Sequence, residues 1–150
     1  MTTTARAIVI ELPLPPRALS SNGSHGHWAK HNDAVQAYRS EACDKAGAQL
    51  PKWWNPNRCR VSYTFCTKGG QKAEPLRWFP KGGRLRMEES YRYQPRDISN
   101  ALAAFKAGQD GLVDAGILVD DSARWMELGS VTIDATIGPF VRVEIGRAHV

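Results

Sequence analysis

The chain has few cysteines and no long apolar run, and each shortage narrows what it can be. Three cysteines in 150 residues, Cys43, Cys59 and Cys66, are an odd number without the paired spacing of a zinc site. On a strand Cys59 and Cys66 would face opposite ways, because their separation is odd. A disulfide framework is not expected, and a reducing, cytoplasmic setting fits this cysteine usage. The apolar run at residues 7–12 is short, carries Glu11 and ends in prolines, so it reads as neither a secretory core nor a membrane span. P-loop, GxGxxG and GxSxG motifs, heptads and internal repeats are also absent. The function classes tied to those patterns lose their support.

Acidic residues are scarce in one segment. Residues 67–96 hold eight of the twenty basic side chains, Lys68, Lys72, Arg77, Lys81, Arg84, Arg86, Arg92 and Arg96, against Glu74, Glu88 and Glu89. The net charge of +5 therefore sits in this segment, and the remainder balances at twelve of each sign. A cationic stretch on a neutral body is the footprint of a polyanion partner, nucleic acid above all; the alternative is a solvated basic loop. Trp78 and Phe79 lie among these cations. They either stack on unpaired bases while the cations hold the backbone, or anchor the loop to the core.

The length suits a single domain. AIVIEL at 7–12 predicts a central strand buried on both faces. The polar SSNGSHG at 20–26 follows as a loop rich in turn formers. Trp28, Val35, Tyr38, Ala42 and Ala46 then recur at helical spacing and predict a helix from about 28 to 49, with Lys30, Arg39 and Lys45 off the apolar stripe. His25, His27 and His31 lack an acid in the HExxH position and read as loop residues near a substrate rather than as ligands. Cys59, Val61, Tyr63 and Phe65 alternate with Arg58, Arg60, Ser62 and Thr64, the period of a half-buried strand. Two Gly-Gly pairs and two prolines predict a long basic loop at 67–83. Leu85, Met87, Glu89, Tyr91 and Tyr93 alternate beyond it, predicting a strand that pairs with the preceding one across that loop. In the last third, Met126 and Leu128 hold one parity and Val131, Ile133 and Ile137 the other, which predicts a bulge near Gly129. Gly138-Pro139 turns the chain into a final strand carrying Val141, Val143 and Ile145, antiparallel to the one before. Residues 1–6 and 146–150 are expected to be disordered tails.

Acids concentrate at 96–122, RDISNALAAFKAGQDGLVDAGILVDDS. Gln94-Pro95 marks a boundary, and Asp97 or Ser99 caps a helix of about 99–115 that Gly116 closes. At about 100° per residue, Ser99, Lys106, Asp110 and Asp114 fall within roughly 80° of one another, opposite most of Ala101, Leu102, Ala104, Phe105 and Leu112. Lys106 and Asp110 also have the spacing of a surface salt bridge. Gly108 and Gly111 weaken the helix and suit a place where another backbone comes close. Carboxylates converging from a helix start and from a loop some two dozen residues later suit Mg²⁺ or Mn²⁺, with a lysine to offset charge in phosphoryl chemistry. Asp97, Asp121 and Lys106 have that chemistry. The alternative is that these acids are caps and solvated faces.

The same residues resemble the RusA-like Holliday junction resolvase family of phages and prophages. Asp97, Asn100, Lys106, Asp110, Gly116 and Asp120-Asp121 match its acid, asparagine, lysine and Asp-Asp pattern, and PLPPRALSSN with HWAKHNDAVQAYR resembles its opening. The likeness spans about residues 7–145. It implies an α/β fold with a small mixed sheet of about five strands and two main helices. It further implies a cytoplasmic, Mg²⁺-dependent homodimer, phage- or prophage-encoded in a bacterial host, that resolves four-way DNA junctions by paired phosphodiester hydrolysis. Asp97 and Asp121 would be metal-binding carboxylates, Lys106 a catalytic or phosphate-contacting lysine, and Asn100, Asp110 and Asp120 supporting residues. One position departs from the family. Ser99 stands where its second catalytic aspartate belongs, so a weakened or inactive branched-DNA binder is the alternative.

Overall fold

The computed structural model describes residues 7–19, 28–70, 73–78, 83–91, 95 and 97–147. Strand β1 (Ile8–Leu12) leads through a single 3-10 turn at Arg17–Leu19 to helix α1 (Trp28–Gln49). Strands β2 (Cys59–Cys66), β3 (Ala73–Trp78) and β4 (Arg86–Tyr91) follow, then helix α2 (Ile98–Asp114) and strands β5 (Met126–Asp134) and β6 (Phe140–Arg147). Four strands form a mixed sheet in the order β1-β6-β2-β5, and β3 with β4 forms a separate antiparallel pair. The architecture is thus a small α/β fold with a mixed four-stranded sheet and two main helices.

The parallel pair explains why α2 lies where it does. β2 and β5 run parallel, and parallel neighbours need a crossover connection, for which a helix is the usual solution. α2 is that helix, and its buried face of Ala101, Ala104, Phe105, Ala107, Gly108, Gly111 and Leu112 turns inward. Phe105 is the hub. Its ring meets Tyr63 at 5.0 Å and Phe65 at 5.8 Å on β2, and Tyr38 of α1 at 6.3 Å, all edge to face. Tyr38 carries its polar end into the core by donating to the Pro13 carbonyl at 2.6 Å.

Where α1 and α2 cross, a Cβ on Gly111 would stand 2.7 Å from the Arg39 carbonyl oxygen and 2.8 Å from the Ala42 Cβ. The close approach expected of that glycine is therefore present. Gly108 differs, since what crowds it is the Phe105 ring of its own helix, at 2.4 Å. Beside the crossing, Arg39 grips Asp114 with two donors, Nε to Oδ2 at 2.6 Å and a terminal nitrogen to Oδ1 at 2.9 Å. That bidentate pair holds the Asp114 carboxyl below its usual range, and the carboxylate in turn raises the Arg39 guanidinium.

Several sequence expectations need correction. Among the described residues β1 pairs with no strand but β6 and so borders the sheet, and only alternate residues are covered: Ile8, Ile10 and Leu12 are buried while Val9 is 56% exposed. A β-branched residue there satisfies strand propensity without burial, which is why the run looked two-sided. Residues 67–83 are not one long loop, because 73–78 form β3. Pro75 is tolerated there since each strand of a two-stranded ribbon has an unpaired edge. β4 pairs with β3 and not with β2, whose two sides are taken by β5 and β6. β5 and β6 are likewise not neighbours, as β2 lies between them. Among the described residues the strands number six, four in the mixed sheet and two in a separate pair, rather than about five in one sheet. Gly146 and Arg147 continue β6, whereas 1–6 and 148–150 lie outside the described residues.

The bulge near Gly129 is present. The β2–β5 register steps from Val61↔Leu128 to Tyr63↔Val131, leaving one extra residue on β5. The Ser62 hydroxyl accepts the Ser130 N–H at 3.1 Å and so satisfies backbone that the ladder leaves out. A Cβ on Gly129 would stand 2.3 Å from that hydroxyl oxygen. At the other edge of the sheet the Gln49 amide, on the last residue of α1, donates to the Glu11 carbonyl at 2.7 Å and accepts the Glu11 N–H at 2.8 Å. Among the described residues, no helix is long and apolar enough to cross a membrane.

Candidate functional site

Helix α2 starts and stops through local chemistry, and both ends decide where the acids go. Asp97 is extended, with φ −129° and ψ 132°, and its carboxylate accepts the Asn100 N–H at 3.1 Å. It is therefore the N-cap, and Ser99 is an exposed residue of the first turn. At the other end Gly116, at φ +78°, reverses the chain. Its N–H reaches the Val113 carbonyl at 3.0 Å and the Ile117 N–H reaches Leu112 at 3.1 Å, the paired bonds of a Schellman stop. Ile117 and Leu118 are then buried, and the Trp54 indole N–H holds the Ile117 carbonyl at 2.9 Å. Pinned this way, the chain runs back along α2 instead of away from it.

That return brings Asp121 to the middle of the helix. Lys106 Nζ donates to Asp110 Oδ1 at 2.8 Å and also makes a short bond to Asp121 Oδ2. Gln109 Nε2 reaches the same Asp121 oxygen at 3.3 Å. Its Oε1 accepts the Tyr63 hydroxyl at 2.6 Å, and Tyr63 is 1% exposed. One polar chain thus runs from the core to the surface: Tyr63, Gln109, Asp121, Lys106, Asp110. An unsatisfied hydroxyl at the depth of Tyr63 would cost about 1–3 kcal/mol, so the Gln109 contact is structural as well as positional.

The electrostatics follow from this geometry. The Lys106 hydrogen bond holds the Asp121 carboxyl below its ordinary range, against the opposing effect of burial and with help from Gln109. Burial pulls the Lys106 ammonium down, but hydrogen bonds and charge from Asp110 and Asp121 outweigh it and the net shift is upward. Burial pushes the Tyr63 hydroxyl well up, and the Asp121 charge adds to it, so the phenol stays a donor.

The expected site residues are not all gathered. Lys106, Asp110 and Asp121 come together. Asp97 sits at the helix start, nine residues before Lys106 and hence about 13 Å away along the axis. Asp120 is exposed beside Asp121, and Asn100 is half-buried in the first turn. Of the basic segment, Lys68 is exposed in the turn after β2, Arg77 is exposed on β3, and Arg84 is exposed ahead of β4, which carries Arg86. Lys72, Lys81, Arg92, Arg96 and Phe79 lie outside the described residues, as do His25 and His27. His31, on α1, hydrogen-bonds through Nδ1 to the Ala18 carbonyl at 3.1 Å. Gln109 and Tyr63 were missed. Gln109 carried a signal, since it lies three residues from Lys106 on the same helical face. Tyr63 stood on the buried parity of β2 and looked like core alone.

Among the described residues, no group of three or more His, Cys, Asp and Glu side chains is placed to hold a metal ion. Mg²⁺, however, often uses one or two carboxylates and keeps its waters. Asp110 and Asp121 supply hard oxygen donors about a single ammonium, two negative charges against one positive, and in kind and number they fit such an ion. No protein-family model matches the chain, and no curated protein matches it.

Proposed function

We propose that this chain is a Mg²⁺-dependent endodeoxyribonuclease of the RusA-like resolvase type, cutting four-way or otherwise branched DNA as a homodimer in a bacterial cytoplasm. The observation that carries the reading is the meeting of Lys106 with Asp110 from its own helix and Asp121 from the returning loop. Asp121 and Asp110 would hold the ion. Polarisation of the phosphodiester and activation of a water are the chemistry Mg²⁺ supplies when bound. Lys106 donates hydrogen bonds and positive charge where a phosphoryl group gains negative charge, and Gln109 keeps Asp121 turned toward that lysine. The cations at Lys68, Arg77, Arg84 and Arg86 would hold the flanking backbone. Two matched cuts across a near-twofold junction suit a symmetric dimer with two such sites. The test is cleavage of a synthetic four-way junction with Mg²⁺ and with Mn²⁺. Paired nicks are expected, and their absence with both ions at enzyme excess would sink the reading.

A second reading has its own observation. The first turn of α2 holds no acid, Ser99 is exposed there, and Asp97 is engaged as the helix cap. A silent junction binder would keep salt-sensitive affinity for branched DNA and show no turnover with either ion.

A further inference from the structure

A second cationic and aromatic surface lies outside the basic 67–96 segment, and two loops that are distant in sequence build it. The first spans residues 50–58, between α1 and β2. The second spans 115–125, between α2 and β5. They are joined at two places: Trp54 Nε1 donates to the Ile117 carbonyl at 2.9 Å, and the Cys59 N–H donates to the Trp125 carbonyl at 2.9 Å. Both lead into the end of the sheet where β2 and β5 start side by side, Cys59 opposite Met126.

The side chains at this end are of two kinds. Lys52 and Arg58 on the first loop and Arg124 on the second are exposed. The first loop holds no acid, and the second holds Asp120, which is exposed, and Asp121, which pairs with Lys106. Trp53 is 47% exposed, and its ring is set at 64° to that of Trp54, whose indole is tied down by the bond to Ile117. Arg124 lies over the half-buried Trp125 ring, 5.4 Å from its centroid. A large indole left half in water, on a loop fastened to its neighbour, is a rigid flat platform. Three exposed cations on the two loops, against the exposed Asp120 and an Asp121 already paired with Lys106, favour a polyanion, and bases offer the flat faces that indoles stack on.

We propose that Lys52, Trp53, Arg58, Arg124 and Trp125 form a binding surface for an unpaired nucleic-acid strand, with a base stacked on Trp53 and the cations along the backbone. The surface deepens the nuclease reading and rests on it only for its role there. Asp121 lies on the second of the two loops, three residues before Arg124. In a branched substrate this surface takes the nucleotides that the branch leaves unpaired.

The test uses the full chain and three labelled probes: a single-stranded thymidine oligonucleotide, a linear duplex, and a four-way junction, each followed by fluorescence anisotropy across a salt series. Trp53→Ala is expected to weaken binding of the single strand about tenfold, with Trp53→Phe restoring most of it. The triple change Lys52→Ala, Arg58→Ala, Arg124→Ala is expected to lower the single-strand salt slope by about two, at roughly 0.7 per phosphate contact. Duplex affinity should change by less than about twofold in Trp53→Ala, because stacked bases present no free face. Circular dichroism of each variant separates lost binding from lost fold. Unchanged single-strand affinity in a folded Trp53→Ala variant overturns the surface, and does so whether or not the junction is cut. Conversely, if the junction is never cut while Trp53→Ala loses the single strand, the nuclease reading falls and the surface stands.

Discussion

The two halves of helix α2 use the same residue types for different purposes. In its first turn the nearest carboxylate, Asp97, accepts a backbone N–H and is accounted for by capping. From the middle onward the carboxylates meet side chains: Asp110 and Asp121 share Lys106, and Asp114 takes Arg39. The difference comes from what lies alongside. The start of the helix has an exposed flank at Ser99, whereas the later turns are pressed onto α1 at Gly111 and face the returning 115–125 loop. An acid becomes part of a site when a second segment is brought to it, and here the Schellman stop at Gly116 brings that segment.

The strongest challenge to this contrast is Asp121→Asn. It should lower junction nicking by about 100-fold or more while leaving junction binding nearly unchanged, as gel-shift and cleavage assays on one substrate would show. Next comes packing. Gly111→Ala forces a methyl into the Arg39 carbonyl and the Ala42 side chain and should destabilise the fold by about 1–3 kcal/mol in urea, whereas Ser99→Ala should stay within about 0.5 kcal/mol. The cap is smaller. Asp97→Ala should cost about 1 kcal/mol, and Asp97→Ser, which keeps an acceptor, only a few tenths. If Asp97→Ser also lost cleavage as completely as Asp121→Asn, the contrast between the two halves would disappear. Ser99→Asp should raise nicking by about threefold to tenfold by adding a charge in the first turn. A drop or no change would leave the start of the helix purely structural.

The smallest effect is in the pH dependence of stability. Asp121 is held below its ordinary value, so its contribution is complete above about pH 4 and lost as the pH falls through the lowered value. Lys106 is raised, so its contribution is complete below about pH 10 and lost as the pH rises through the raised value. Urea titrations of the parent chain and Lys106→Met should therefore differ by a constant margin from about pH 5 to 9 and converge outside it. The margin should be small, because the lysine is largely solvated.

Both helices were legible because their apolar stripes are local. Tyr38, Ala42 and Ala46 repeat at helical spacing and are fully buried, and Gly111 and Gly129 each marked a place where something comes close. Strand neighbours were not legible. Nothing in the alternation of β5 or β6 says that β2 will lie between them, since register encodes which face is buried and not which strand is adjacent. β3 was hidden by Pro75 and the flanking glycines, which carry turn signals wherever they occur. In the site, Lys106–Asp110 could be read from spacing, but Asp121 joins them through a loop reversal, and Tyr63 looked like an ordinary core aromatic until its hydroxyl was seen on Gln109.

Gln49 carries a further consequence. Its side-chain amide offers Glu11 one donor and one acceptor, the same pair a neighbouring strand would offer, so a single residue at the end of α1 acts as a substitute strand along the outside of β1. Strand addition is blocked at that position. Among the described residues the opposite border of the four-stranded sheet is β5, where the bulge at Gly129 breaks the regular spacing that an added strand would have to match.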